Sequence, residues 1–125
     1  MGNFNFLLTD YIIIFLFFIA VDYVVLSQVL GPKFQLMAKQ IGFKTRLNYL
    51  GAFATYLVML IGFFIFVDLE GSPLQAFLFG VVTYGIYELT NYATIEGWRP
   101  EFVILDVLWG GLLYTILFWF LKTFY

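Results

Sequence analysis

Histidine and cysteine are both absent from this chain of 125 residues. Their absence removes disulfides, zinc sites of the Cys/His type, Ser-His and Cys-His nucleophile chemistry and the commonest haem ligand, so no cofactor is expected. Without cysteine the redox compartment is also unmarked. Charge is scarce: 11% of the residues are charged, against roughly 25% in soluble domains, too few to cover a water-facing surface. The net charge of −2 is too small to imply nucleic acid as a partner. What the chain has instead is apolar surface, with 63% hydrophobic residues and 23% aromatic ones. That is the balance of a membrane protein whose first partner is the lipid bilayer. Each crossing needs about 20 apolar residues, so the length leaves room for four spans and short loops.

Four runs fit. The first, from about Leu7 to Leu30, contains "YIIIFLFFIAVDYVVLSQVL", and the second, about Leu47 to Val67, reads "LNYLGAFATYLVMLIGFFIFV". The third runs from about Pro73 to Ala93 and the fourth from about Phe102 to Leu121, "FVILDVLWGGLLYTILFWFL". Pro73 and Pro100 fall just before runs three and four, where proline suits a first helical turn. The first run is not read as a secretory signal, because no basic residue precedes it and no small-residue cleavage site follows. "MGNFNF" begins like a myristoylation signal, but Phe6 stands where Ser or Thr is expected. No repeat, low-complexity tract or linker divides the chain, so residues 1–125 read as a single all-α domain. The expected architecture is a polytopic membrane protein with a four-transmembrane-helix bundle.

Between runs one and two lies "GPKFQLMAKQIGFKTR", which carries Lys33, Lys39, Lys44 and Arg46 and no acid. The positive-inside rule places loops 31–46 and 94–101 in the cytoplasm and both termini on the other side. That counts five basic residues inside, Arg99 among them, against Lys122 outside. Phe34, Met37, Ala38 and Ile41 recur at helical spacing with Lys39 and Gln40 between them, the pattern of a short amphipathic segment at the membrane interface. Two readings stand for the loop: a basic connector that sets topology, or a contact for anionic lipid through Lys33, Lys39, Lys44 and Arg46.

Asp22, Glu88 and Asp106 lie inside the first, third and fourth runs. Counted from the cytoplasmic helix ends at about 1.5 Å per residue, they share one layer roughly 8 to 12 Å deep. An acid costs about 2.5 to 3.5 kcal/mol at a helix centre, whereas a Leu, Ile, Phe or Val returns about 0.3 to 0.6. The third run has only eight such residues to set against Gln75, Glu88 and Asn91, so it depends on its neighbours and must turn Glu88 inward. Gly80, Tyr84, Tyr87, Glu88 and Asn91 share a helical face there, and Asp106 shares one with Trp109 and Gly110 in the fourth run. Gly51, Thr55 and Gly62 offer a small-residue seam in the second. No basic residue lies within the spans to neutralise the acids. At neutral pH at least one therefore holds a proton or a cation compensates, and the layer is able to close as a hydrogen-bonded network.

"YELTNYATIEGW" followed by "ILDVLWGGLL" resembles the signature of a family of small, predicted four-helix membrane proteins of unknown function, DUF2177. That family shows Tyr-Asp-Leu-Thr-Asn-x-Ala-Thr, then Gly-Trp, then Asp-x-x-Trp-Gly. Tyr87, Leu89, Thr90, Asn91, Ala93, Thr94, Gly97, Trp98, Asp106, Trp109 and Gly110 match. Glu88 stands where the family has aspartate, which keeps the carboxylate and lengthens its reach. Asp22 and Tyr23 fit an early Asp-aromatic pair. The resemblance is specific over about residues 84–112, implies a four-helix integral membrane protein, and supplies no activity.

Three function classes follow from the acid layer. A binding or transport protein would use Asp22, Glu88 and Asp106, with Asn91, to hold a proton, cation or polar lipid head. Tyr84, Tyr87 and Trp109 would add cation–π contacts to an alkylammonium group. A structural or accessory subunit would use the same residues to lock the helices and offer its apolar exterior to other membrane subunits or to itself. A lipid-modifying enzyme ranks third, since no catalytic residue stands out and the Gly-x-Gly-Asp pattern of intramembrane aspartyl proteases is missing. Trp98 and Trp119 read as interfacial anchors.

Overall fold

The computed structural model describes residues 5–125, and Gly2, the residue weighed for acylation, lies outside them. The described residues are all-α: α1 (Leu8–Val25), α2 (Gly31–Ile41), α3 (Tyr49–Phe66), α4 (Pro73–Thr94) and α5 (Pro100–Phe124). The local chemistry of the boundaries matches their positions. The Asn48 side chain accepts from the Gly51 N–H at 3.1 Å, and Ser72 accepts from the Leu74 N–H at 3.1 Å, each capping orphan donors at a helix start. Pro73 and Pro100 occupy first turns, where their missing N–H costs nothing. At the start of α1 the Asp10 carboxylate accepts from the Leu7 N–H at 2.8 Å.

The expected break after Leu30 is absent. The helix widens into a π-helical turn, Leu26–Leu30, and runs on into α2. Pro32 has no N–H, and in a regular helix its ring would press on the carbonyl four residues back. The wider turn accommodates it, with the Gly31 N–H bonding to the Leu26 carbonyl. A side chain at residue 31 would collide with that same oxygen. α2 ends at Gly42, whose φ of 76° is the left-handed cap glycine supplies most easily.

Among the described residues, three stretches are long and apolar enough to cross a bilayer: Leu8–Ile41, Tyr49–Phe66 and Pro100–Phe124. α4, at about 33 Å by its rise, has the length, but Gln75, Glu88 and Asn91 dilute its hydropathy. α5 is the central element, burying residues along its length from Phe102 to Leu121. α4 packs mainly against it, antiparallel. The two backbones touch at Gly80 and Gly110, where a Cβ on Gly80 would overlap the Gly110 carbonyl.

Two apolar clusters result. The larger joins Ile14 and Phe18 of α1, Leu60 and Phe63 of α3, Ala76 of α4, and Leu113 to Leu121 of α5. The smaller joins Leu30 and Met37 to Trp98, Phe102 and Val103. The buried acids lie between the two. The expected seam on the second run is only partly used: Gly62 packs against the Phe79 ring, while Gly51 and Thr55 are exposed.

Candidate functional site

Asp22, Glu88 and Asp106 are the buried charged side chains of the described residues, at 4%, 1% and 8% exposure. They divide into two arrangements. Asp22, from α1, accepts from neutral donors on two other helices. Its Oδ1 accepts from Trp109 Nε1–H of α5 at 2.8 Å, and its Oδ2 accepts from the Tyr56 hydroxyl of α3. One carboxylate thus ties α1, α3 and α5 together.

The carboxyls of Glu88 and Asp106 face one another across the α4–α5 contact, within hydrogen-bonding range. Two ionised carboxylates offer only acceptors, so a bond between them requires a proton on one. Glu88 Oε1 also accepts from Trp98 Nε1–H at 2.9 Å. The close backbone approach at Gly80 and Gly110 brings the two acids within reach, because bulkier residues would hold the helices apart. No group of three or more acidic side chains among the described residues converges as a metal site, so the layer expected from depth alone is a pair plus a separate node.

Asp106 is reached from outside the pair. It lines a cleft of about 350 Å³ together with Thr55 and Met59 of α3 and Thr83, Tyr84 and Tyr87 of α4. Every fully buried side-chain nitrogen and oxygen among the described residues has a hydrogen-bond partner.

The remaining sequence candidates fall out as follows. Tyr84 is half-buried, lines the cleft and lies in electrostatic range of both Asp22 and Asp106. Tyr87, expected to face inward, is 57% exposed and lines the cleft. Adjacent residues on a helix point about 100° apart, so Tyr87 and Glu88 cannot both face α5. Asn91 is half-buried. Trp109 is engaged as a donor to Asp22, packs against both clusters and lies outside the cleft lining. Lys33, Lys39, Lys44 and Arg46 are exposed on α2 and the segment after it.

Two residues of the arrangement were missed. Trp98, expected at a membrane interface, is 4% exposed and ringed by Phe34, Phe43 and Phe102. Its burial depends on Gly97, whose φ of 86° turns the chain and whose missing Cβ leaves room for Ile41 of α2. The Gly-Trp pair after Asn91 was the available signal, since an indole N–H that enters a core needs an acceptor. Tyr56 carries no sequence signal that separates it from the other polar residues of its run.

No protein of curated function and no solved structure matches the chain. Residues 7–121 match the profile of the family described as Predicted membrane protein (DUF2177), and a chain with three span-capable helices and acids buried between helices belongs to that family.

Proposed function

We propose that this is a four-span integral membrane protein in which α1, α3, α4 and α5 cross the bilayer, α2 lies at the cytoplasmic surface, and the Glu88–Asp106 pair binds a proton or a cationic group. Binding, or transport through alternate exposure of the pair, takes place in the cytoplasmic half of the membrane. The observation that carries this reading is that Asp106 lines an accessible cleft while its carboxyl is paired with that of Glu88. The pair receives one neutral donor, Trp98 Nε1–H on Glu88, and a proton or a cation in the cleft would compensate two carboxyls so placed. Thr55, Thr83 and Tyr84 add hydroxyls to the same cleft, which suits a polar or amine-bearing head. Burying Glu88 against α5 also offsets the weak hydropathy of α4, supporting a fourth crossing. Sidedness rests on the basic residues of 31–46 and Arg99.

A structural role is favoured for Asp22 by a different observation, since both of its oxygens are taken by donors from neighbouring helices. The test is reconstitution of wild type, Glu88→Gln and Asp106→Asn in liposomes loaded with a pH-sensitive dye and challenged with proton and cation gradients. Both variants are expected to keep their helicity and lose the proton- or cation-dependent response. An unchanged response alongside reduced thermal stability would assign the pair to packing alone.

A further inference from the structure

A second cleft lies apart from the acids, between α2 and the start of α5. It measures about 160 Å³ and is lined by Lys33, Leu36, Met37 and Gln40 on one wall and Arg99, Glu101, Phe102 and Leu105 on the other. We propose that it holds the phosphate of an anionic phospholipid between Lys33 and Arg99.

Three features converge on that ligand. The first is a prepositioned cation: the Arg99 guanidinium donates to Gln40 Oε1 at 2.9 Å, and the Arg99 backbone N–H donates to Met37 Sδ at 3.3 Å. An anchored planar guanidinium still has donors free for a phosphate and loses little freedom on binding one. Lys33 lies one helical turn before Met37, on the face of α2 that forms the cleft, so its ammonium reaches the same opening. The second is the apolar continuation. Leu36 is 59% exposed and Leu105 is 39% exposed beside these charges, which offers acyl chains a surface directly below the head. Free phosphate would gain nothing from those side chains. The third is depth: Pro100 starts a span-capable helix, so the cleft lies where lipid phosphates lie.

Glu101 completes the lining and sets the charge of the cleft at +1, which suits a phosphodiester with one negative charge over a polyphosphorylated head. Of the four basic residues in segment 31–46, Lys33 is the one that lines the cleft; Lys39, Lys44 and Arg46 do not. Arg99, from the opposite end of the chain, supplies the second cation. The site is therefore assembled by the docking of α2 on the 95–99 turn, and its lining includes neither carboxyl of the pair.

The experiment uses the full chain in nanodiscs of phosphatidylcholine, with and without phosphatidylglycerol, read by retained lipid in native mass spectrometry and by melting temperature. Phosphatidylglycerol is expected to be retained and to raise the melting temperature, whereas added inorganic phosphate does neither. Arg99→Gln and Lys33→Gln should each weaken retention by about tenfold, while Lys33→Arg preserves it. Lys44→Gln and Arg46→Gln, which remove the same charge outside the cleft, should change it less than about twofold. Equal losses in all four glutamine variants would mean diffuse surface attraction and overturn the site. Equal retention of phosphatidylcholine, or competition by inorganic phosphate, would overturn the ligand. Circular dichroism on each variant separates lost binding from lost fold.

Discussion

Asp22 and the Glu88–Asp106 pair are the same kind of side chain in the same layer of the molecule, and they behave as opposites. Asp22 meets two neutral donors, Tyr56 and Trp109, one on each oxygen, and its position is fixed by two neighbouring helices. Glu88 and Asp106 share one indole donor and otherwise meet each other, with the cleft on the Asp106 side. An acid that accepts from donors on two neighbouring helices ties those helices together. An acid that meets another acid beside a cleft is where the proposed proton or cation would sit. What separates the two roles is the count of hydrogen-bond donors within reach, not burial, which is nearly equal in the three residues.

Substitutions sharpen the contrast in a definite order. The most damaging removes both arrangements at once: Gly80→Val drives a side chain into the Gly110 carbonyl. It should cost about 3 kcal/mol or more and yield little monodisperse protein in size-exclusion chromatography. Next comes Asp22→Ala, which strands the Tyr56 hydroxyl and the Trp109 N–H in the interior. A loss of about 2 kcal/mol is expected in thermal or denaturant unfolding in detergent. Trp98→Phe keeps the ring among Phe34 and Phe102 but deletes the donor to Glu88, so about 1 kcal/mol should disappear in the same assay. Glu88→Gln should cost still less, under about 1 kcal/mol, because the amide oxygen can accept from Trp98 while its NH2 donates to Asp106 in place of the proton. If Glu88→Gln destabilises more than Asp22→Ala, the division between tie and exchangeable pair is wrong. Trp119→Phe, at a 52% exposed position, sets the baseline at under about 0.5 kcal/mol.

Much of this molecule was readable in advance because bilayers impose simple rules. Hydropathy and two prolines located α3, α4 and α5 to within a few residues, and the expense of an intramembrane acid forced Asp22, Glu88 and Asp106 inward whatever the packing. The basic segment was legible as an amphipathic helix from Phe34, Met37 and Ile41. Its continuity with α1 was not, since Gly31–Pro32 is a breaker by propensity and only the widened turn before it lets the helix pass. Trp98 was misassigned because tryptophan near a span end is most often interfacial, and its burial requires α2 to fold against the 95–99 turn. Tyr87 was misplaced because a face drawn by spacing is broader than the strip that touches a neighbour.

Composition determined that this chain lives in lipid and that its helices number few, and position within apolar runs determined that Asp22, Glu88 and Asp106 are buried, because the cost of exposing charge or backbone to hydrocarbon leaves no alternative. Which acid pairs with which donor was decided only in three dimensions. The partners of Asp22 come from 34 and 87 residues away in the chain, and the Glu88–Asp106 contact exists because two glycines let α4 and α5 meet backbone to backbone. Spacing within one helix carries no information about the register between two, and that register is what turned three similar carboxylates into one tie and one pair.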